Sequence, residues 1–158
     1  MKKRLVIYIS IIVSVALLLM FGLGLLVTRS NNNEITEENL VQTTKIYAQI
    51  YNGDNSIIVS TDGDIRVTVI AADGTVLADT SRTDISAMEN HLAREEIQAA
   101  LIGTPKAVTR YSQTLGRDMM YYAEKVEIGV SYVFIRTATP TQSISAYLVK
   151  TIPLTLLI

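Results

Sequence analysis

Four arginines, Arg66, Arg94, Arg110 and Arg136, are the side chains of this sequence best suited to chemistry. A guanidinium offers a planar fork of donors that grips a carboxylate or phosphate through two parallel hydrogen bonds and keeps its charge at physiological pH. All four fall in or beside segments expected to be structured, which makes them candidate ligand-binding residues for an anion. The competing reading pairs Arg66 and Arg110 with Asp79, Glu89 or Glu124 on a sheet surface, and spacing alone does not choose between a convergent pocket and scattered ion pairs. Loss of an anion response in Arg94→Ala would favour the pocket.

The rest of the chemical inventory is thin. There is one histidine, His91, and no cysteine, so a thiol nucleophile, a disulfide framework and a thiolate zinc site are excluded. No Gly-x-Ser-x-Gly elbow, Walker loop or His-Glu-x-x-His pair occurs, and no catalytic residue is assigned. Asp54, Asp62 and Asp64 lack the twelve-residue calcium-loop pattern and read as a solvated acidic loop. Neither a metal nor a cofactor is expected. Met119, Met120, Tyr121 and Tyr122 alternate as on a strand, so one pair could line an apolar cavity, although core packing explains the same pattern.

The chain that must position these residues has 158 residues, 14 of them Lys or Arg and 15 Asp or Glu. Between Thr28 and Tyr147, ten basic against fifteen acidic residues leave five excess negative charges, which argues against a nucleic-acid surface. Leu5 to Val27 is 23 residues without a charge, and at about 1.5 Å per residue a helix of that length crosses a hydrocarbon layer of roughly 30 Å. It is too long for the apolar core of a cleaved signal peptide. Lys2-Lys3-Arg4 against the single Arg29 puts the N-terminus in the cytoplasm and the following region outside the cell. Eight apolar residues, Thr151 to Ile158, are too few to cross. Residues 147–158 are expected to begin a second transmembrane helix, which would make the chain a fragment; the alternative is an apolar tail packed on its own domain or in the interface.

The organisation expected is therefore a first transmembrane helix over 5–27, one extracytoplasmic domain over 28–146 and the start of a second span. Within the domain, Thr36 with Glu37 and Glu38 resembles a helix start, and Leu40, Thr44, Tyr47 and Tyr51 form a stripe able to pack on a sheet or on a second copy. Strands are predicted over 65–71 and 75–78 around an Asp73-Gly74 turn, and over 107–114, 118–126 and 132–138. Ser86 and Glu89 at capping-box spacing, with Gly103 and Pro105 behind, predict a helix from Ala87 to Ile102. His91, Arg94 and Gln98 would share its solvated face. A further helix is expected from about Pro140. The fold class is α+β, a five-stranded antiparallel sheet with flanking helices.

Asp64 to Ile70, Asp73 to Asp79, Met88-Glu89-Asn90-His91, Arg94-Glu95, Arg110 to Thr114 and Met119 to Ala123 together resemble the extracytoplasmic sensor region of PhoR-like two-component sensor histidine kinases. The resemblance covers roughly Asp64 to Pro140 and the flanking membrane segments. It implies a PAS-like or Cache-like sensor domain, a homodimeric receptor in the cell membrane of a Gram-positive bacterium, and an unknown extracellular ligand or partner protein. A cytoplasmic response regulator would be reached only through a kinase part missing from this chain, since no phosphoacceptor helix or nucleotide-binding domain is present and His91 lacks the phosphoacceptor context. The alternatives are a self-contained membrane-anchored envelope protein that binds a ligand or partner, and the sensor half of a chemoreceptor.

Overall fold

The computed structural model describes residues 2–58, 65–82, 84–113 and 115–141. Helix α1 runs unbroken over Lys2–Ile50, so Thr36 does not cap a new helix as the sequence suggests. No glycine or proline lies between Leu25 and Ile50, and the helix penalty of three asparagines, well under 1 kcal/mol each, does not end a helix held on both sides. The chain forms two compact units that divide after Ile35. In the first, the apolar side chains from Leu5 to Val27 are uncovered, and the helix is long and apolar enough to cross a membrane.

The second unit is built on five strands: β1 Arg66–Ala71, β2 Val76–Asp79, β3 Val108–Ser112, β4 Arg117–Ile128 and β5 Ser131–Pro140. They form one antiparallel sheet in the order β2-β1-β5-β4-β3. The hairpins β1–β2, β3–β4 and β4–β5 follow from Gly74, Gly116 and Gly129, each with positive φ. The β1–β5 pairing is non-local, with Val69 opposite Ile135 and Thr68 opposite Arg136.

Period-two alternation gives the sheet two different faces. Val67, Val69 and Ile135 turn to one side and pack on Tyr47 and Tyr51 of α1, while Leu40 covers Met120 and Tyr122. On the same side Thr44 Oγ1 meets Thr137 Oγ1 at 2.6 Å. The stripe offered by the sequence as a dimer surface is thus spent on the protein's own sheet, because burying two tyrosines and a leucine here satisfies the apolar face of α1 within one chain.

On the opposite side Ile70, Val76, Ala123 and Phe134 pack against Ile97 and Ala100 of helix α2, Glu95–Leu101. This helix is half the predicted length. Residues 84–94 are irregular because their side chains bond backbone locally instead: Asp84 accepts from the amide and hydroxyl of Ser86, and Asn90 Oδ1 accepts from the Leu92 amide. The Ser86/Glu89 capping box does not form, and Arg94, in extended conformation, precedes the first helical residue. Pro140 ends β5, opposite Met119, rather than starting a helix. The expected C-terminal helix beyond it and the second membrane segment at 147–158 lie outside the described residues.

Candidate functional site

Arg66, Arg110 and Arg136 occupy three different strands, yet alternation and register turn them to the same face of the sheet. Thr68, two residues on from Arg66 and so on the same face, lies opposite Arg136, and Arg110 lies opposite Met119 on the same side as Tyr121. Arg94, at the N-terminal edge of α2, and the segment 84–94 overhang this face. Together they enclose a cavity of about 460 Å³ lined by Arg66, Arg94, Arg110 and Arg136, the four arginines singled out by the sequence. Arg82, Met88, Glu89, His91 and Tyr121 are also among the lining residues.

The ion pairs weighed against a pocket are also present, with different partners in part. Arg66 Nε donates to both oxygens of Asp79 at 2.9 and 3.0 Å, and Asp79 accepts a further bond from Thr68 Oγ1 at 2.8 Å. Arg110 grips Glu96 through two bonds of 2.6 and 3.0 Å and lies 3.9 Å from the centre of the Tyr121 ring. Arg94 reaches Glu89 at 3.2 Å on the exposed rim. Glu124 takes no arginine; it accepts from Tyr122 Oη on the other face of the sheet.

Arg136 is the exception. It is buried to 3% exposure, donates from Nη2 to Thr68 Oγ1 at 3.1 Å and stands 3.6 Å from Glu96, beyond hydrogen-bond distance. Its Nε has no partner among the described residues. Burial, only partly offset by Glu96 and aggravated by Arg66 and Arg110, lowers its pKa to about 10, so it remains charged at neutral pH. His91 is also buried. Its amide is anchored to the Gly74 carbonyl at 2.8 Å, and its Nδ1 has no partner among the described residues. Burial and the nearby charges of Arg136, Arg94 and Arg66 push its pKa down to about 4, which keeps the imidazole neutral at physiological pH. Burial alone would raise Glu96, but the hydrogen bonds and charge of Arg110 hold it below the ordinary carboxylate range.

Helical spacing predicts His91 on a solvated helix face; the short α2 leaves it in the irregular segment, buried. Arg82, just past β2, carried the same guanidinium signal as the other four. Of the methionine–tyrosine run, Tyr121 lines the cavity, Met119 packs with Tyr121 and Ala138, and Met120 and Tyr122 lie under α1. No cluster of metal-ligating side chains occurs among the described residues.

No family model matches the sequence, and no curated protein matches it significantly. Among solved structures, the fold matches the ligand-binding domain of the Campylobacter jejuni chemoreceptor Tlp3, determined in complex with 4-methylisoleucine. The match has a TM-score of 0.51 at 13% identity and covers 73% of this chain and 55% of the other. The five-stranded sheet with its helices is therefore the fold of a chemoreceptor sensor domain.

Proposed function

We propose that this chain is the signal-sensing portion of a membrane receptor, and that the receptor is a PhoR-like two-component sensor histidine kinase whose catalytic part lies outside the chain. The observation that carries the sensing role is the cavity on the α2 side of the sheet, where two buried polar atoms, Arg136 Nε and His91 Nδ1, have no hydrogen-bond partner among the described residues. Buried polar groups are nearly always satisfied, so two such atoms beside a cavity mark where the polar groups of a small molecule can bond. The signal on this reading is a small molecule; the matched chemoreceptor domain was determined in complex with one, 4-methylisoleucine.

The route outward from the cavity is short. β5 carries Arg136 on the ligand side and Thr137 on the other, where Thr137 hydrogen-bonds Thr44 of α1. A ligand that favours one packing of β1 and β5 biases the seating of α1, and α1 is the helix whose earlier residues are apolar enough to span a membrane. The domain works outside the cell, with the N-terminus inside, and its output is mechanical and non-covalent.

The fold match favours one second reading, the sensor half of a chemoreceptor. The reading frame past the codon for Ile158 separates the two. A phosphoacceptor helix followed by a nucleotide-binding domain supports the kinase; a long heptad coiled coil supports the chemoreceptor; a stop codon removes both and leaves a membrane-anchored binding protein.

A further inference from the structure

The floor of the cavity is one negative charge short. Arg66, Arg110 and Arg136 are set against two carboxylates, Asp79 and Glu96, whose side chains are entirely shielded from solvent. The groups form a chain across the sheet: Arg66 on Asp79, Asp79 on Thr68, Thr68 on Arg136, and Glu96 between Arg136 and Arg110. Each carboxylate is gripped by its own guanidinium, and Arg136 has only the longer 3.6 Å ion pair with Glu96 and, through Thr68, an indirect link to Asp79. Toward the opening the balance does not reverse, because Arg94 is matched by Glu89 while Arg82 adds a further positive charge to the wall.

A buried guanidinium whose one carboxylate neighbour is already gripped by another arginine is expensive for a fold to keep. We propose that the missing anion belongs to the ligand: the cavity takes a small molecule through an oxyanion group, a carboxylate or a phosphate, seated at the floor among Arg66, Arg110, Arg136 and His91. This rests on the sensing role proposed above and names the ligand's class. Arg82 and Arg94 lie on the way in and draw the anion from solvent. A cation meets five guanidinium groups against only three carboxylates, Asp79, Glu96 and Glu89. A wholly apolar ligand would leave Arg136 uncompensated and bury it more deeply. The neutral His91 supplies a hydrogen-bonding nitrogen without adding a charge.

The test is thermal unfolding of the full chain in nanodiscs, with succinate, inorganic phosphate or the neutral analogue succinamide at matched ionic strength. The proposal expects a saturable rise in Tm with succinate or phosphate, roughly 10 °C at a hundredfold excess over Kd, and none with succinamide. Whichever of the two binds identifies carboxylate or phosphate as the source. Arg82→Gln and Arg94→Gln, both near the surface, are expected to weaken the anion about five- to tenfold each without lowering the unliganded Tm. Arg136→Met is expected to leave the unliganded Tm unchanged or higher while abolishing the anion shift; a lower unliganded Tm in that variant would overturn the charge-deficit argument. A rise with succinamide alone would overturn the anion class and leave the sensing role standing. Silence toward all three probes would overturn the anion class too, with the sensing role then judged by the downstream reading frame.

Discussion

His91 shows how much a single side chain depends on what surrounds it. Its imidazole faces Arg136 and Arg66 from the sheet, Arg94 from the edge of α2, and only Glu96 as a favourable charge. In the unfolded chain it takes a proton near pH 6.5; in the fold it resists until about pH 4. Between those values the unfolded state binds more protons, so stability falls as pH drops through this window and is fully present above it. The loss reaches about 3 kcal/mol at the acid end, using 1.4 kcal/mol per pKa unit. Urea unfolding at pH 7 and pH 5 should show a smaller difference in His91→Gln than in the natural sequence; equal differences would mean that His91 is not the group that titrates. Glu96, whose carboxyl is held low by Arg110, acts in the same direction only at lower pH, so the comparison at pH 5 isolates the histidine.

At the scale of elements, the turn after β1 does more than reverse the chain. Gly74 has φ +88°, its carbonyl holds the His91 amide, and a Cβ built on it would stand 2.5 Å from Leu92 Cβ and 2.6 Å from the Leu92 nitrogen. Gly74→Ala therefore meets both a left-handed backbone and a collision with the segment that roofs the cavity, and should cost about 3 kcal/mol in urea unfolding. It should also weaken ligand binding more than a distant mutation of equal cost. The strands were legible because period two and glycine turns are local signals: all five appear within two residues of their expected ends. The clustering of arginines on one face was partly legible, since Arg66, Arg110 and Arg136 each had a readable strand parity. What sequence could not supply was the β1–β5 pairing, which joins segments some 65 residues apart and alone brings Arg136 beside Arg66. The helix over 87–102 was overread because Ala93, Ile97, Ala100 and Leu101 have helical spacing, while Asp84 and Asn90 hold the preceding segment in turns that spacing does not reveal.

For the molecule as a whole, two questions follow from a chain without cysteine, since a single introduced thiol reports without interference. The first is sidedness. With the Lys2-Lys3-Arg4 end inside, a membrane-impermeant maleimide on intact cells should label Val130→Cys, at the fully exposed tip of β4–β5, and should not label Lys3→Cys, which keeps Lys2 and Arg4, until the cells are opened. The reverse pattern would invert the receptor and remove an external signal. The second is assembly, where the burial of Leu40, Tyr47 and Tyr51 on the sheet moves the argument to the face of α1 left uncovered. Ile46 and Ile50 stand one helical turn apart there, 57% and 50% exposed, with Gln42 and Gln49 beside them. A second copy related by a twofold axis would bring each isoleucine to its counterpart, because such an interface pairs a surface with itself. Oxidative crosslinking in membranes should then give a disulfide dimer from Ile46→Cys and little from Tyr47→Cys, whose thiol would be enclosed between α1 and the sheet. Efficient crosslinking through residue 47 instead would mean that α1 leaves the sheet in the assembled receptor, and a dimer from neither position would place any association elsewhere than on this helix.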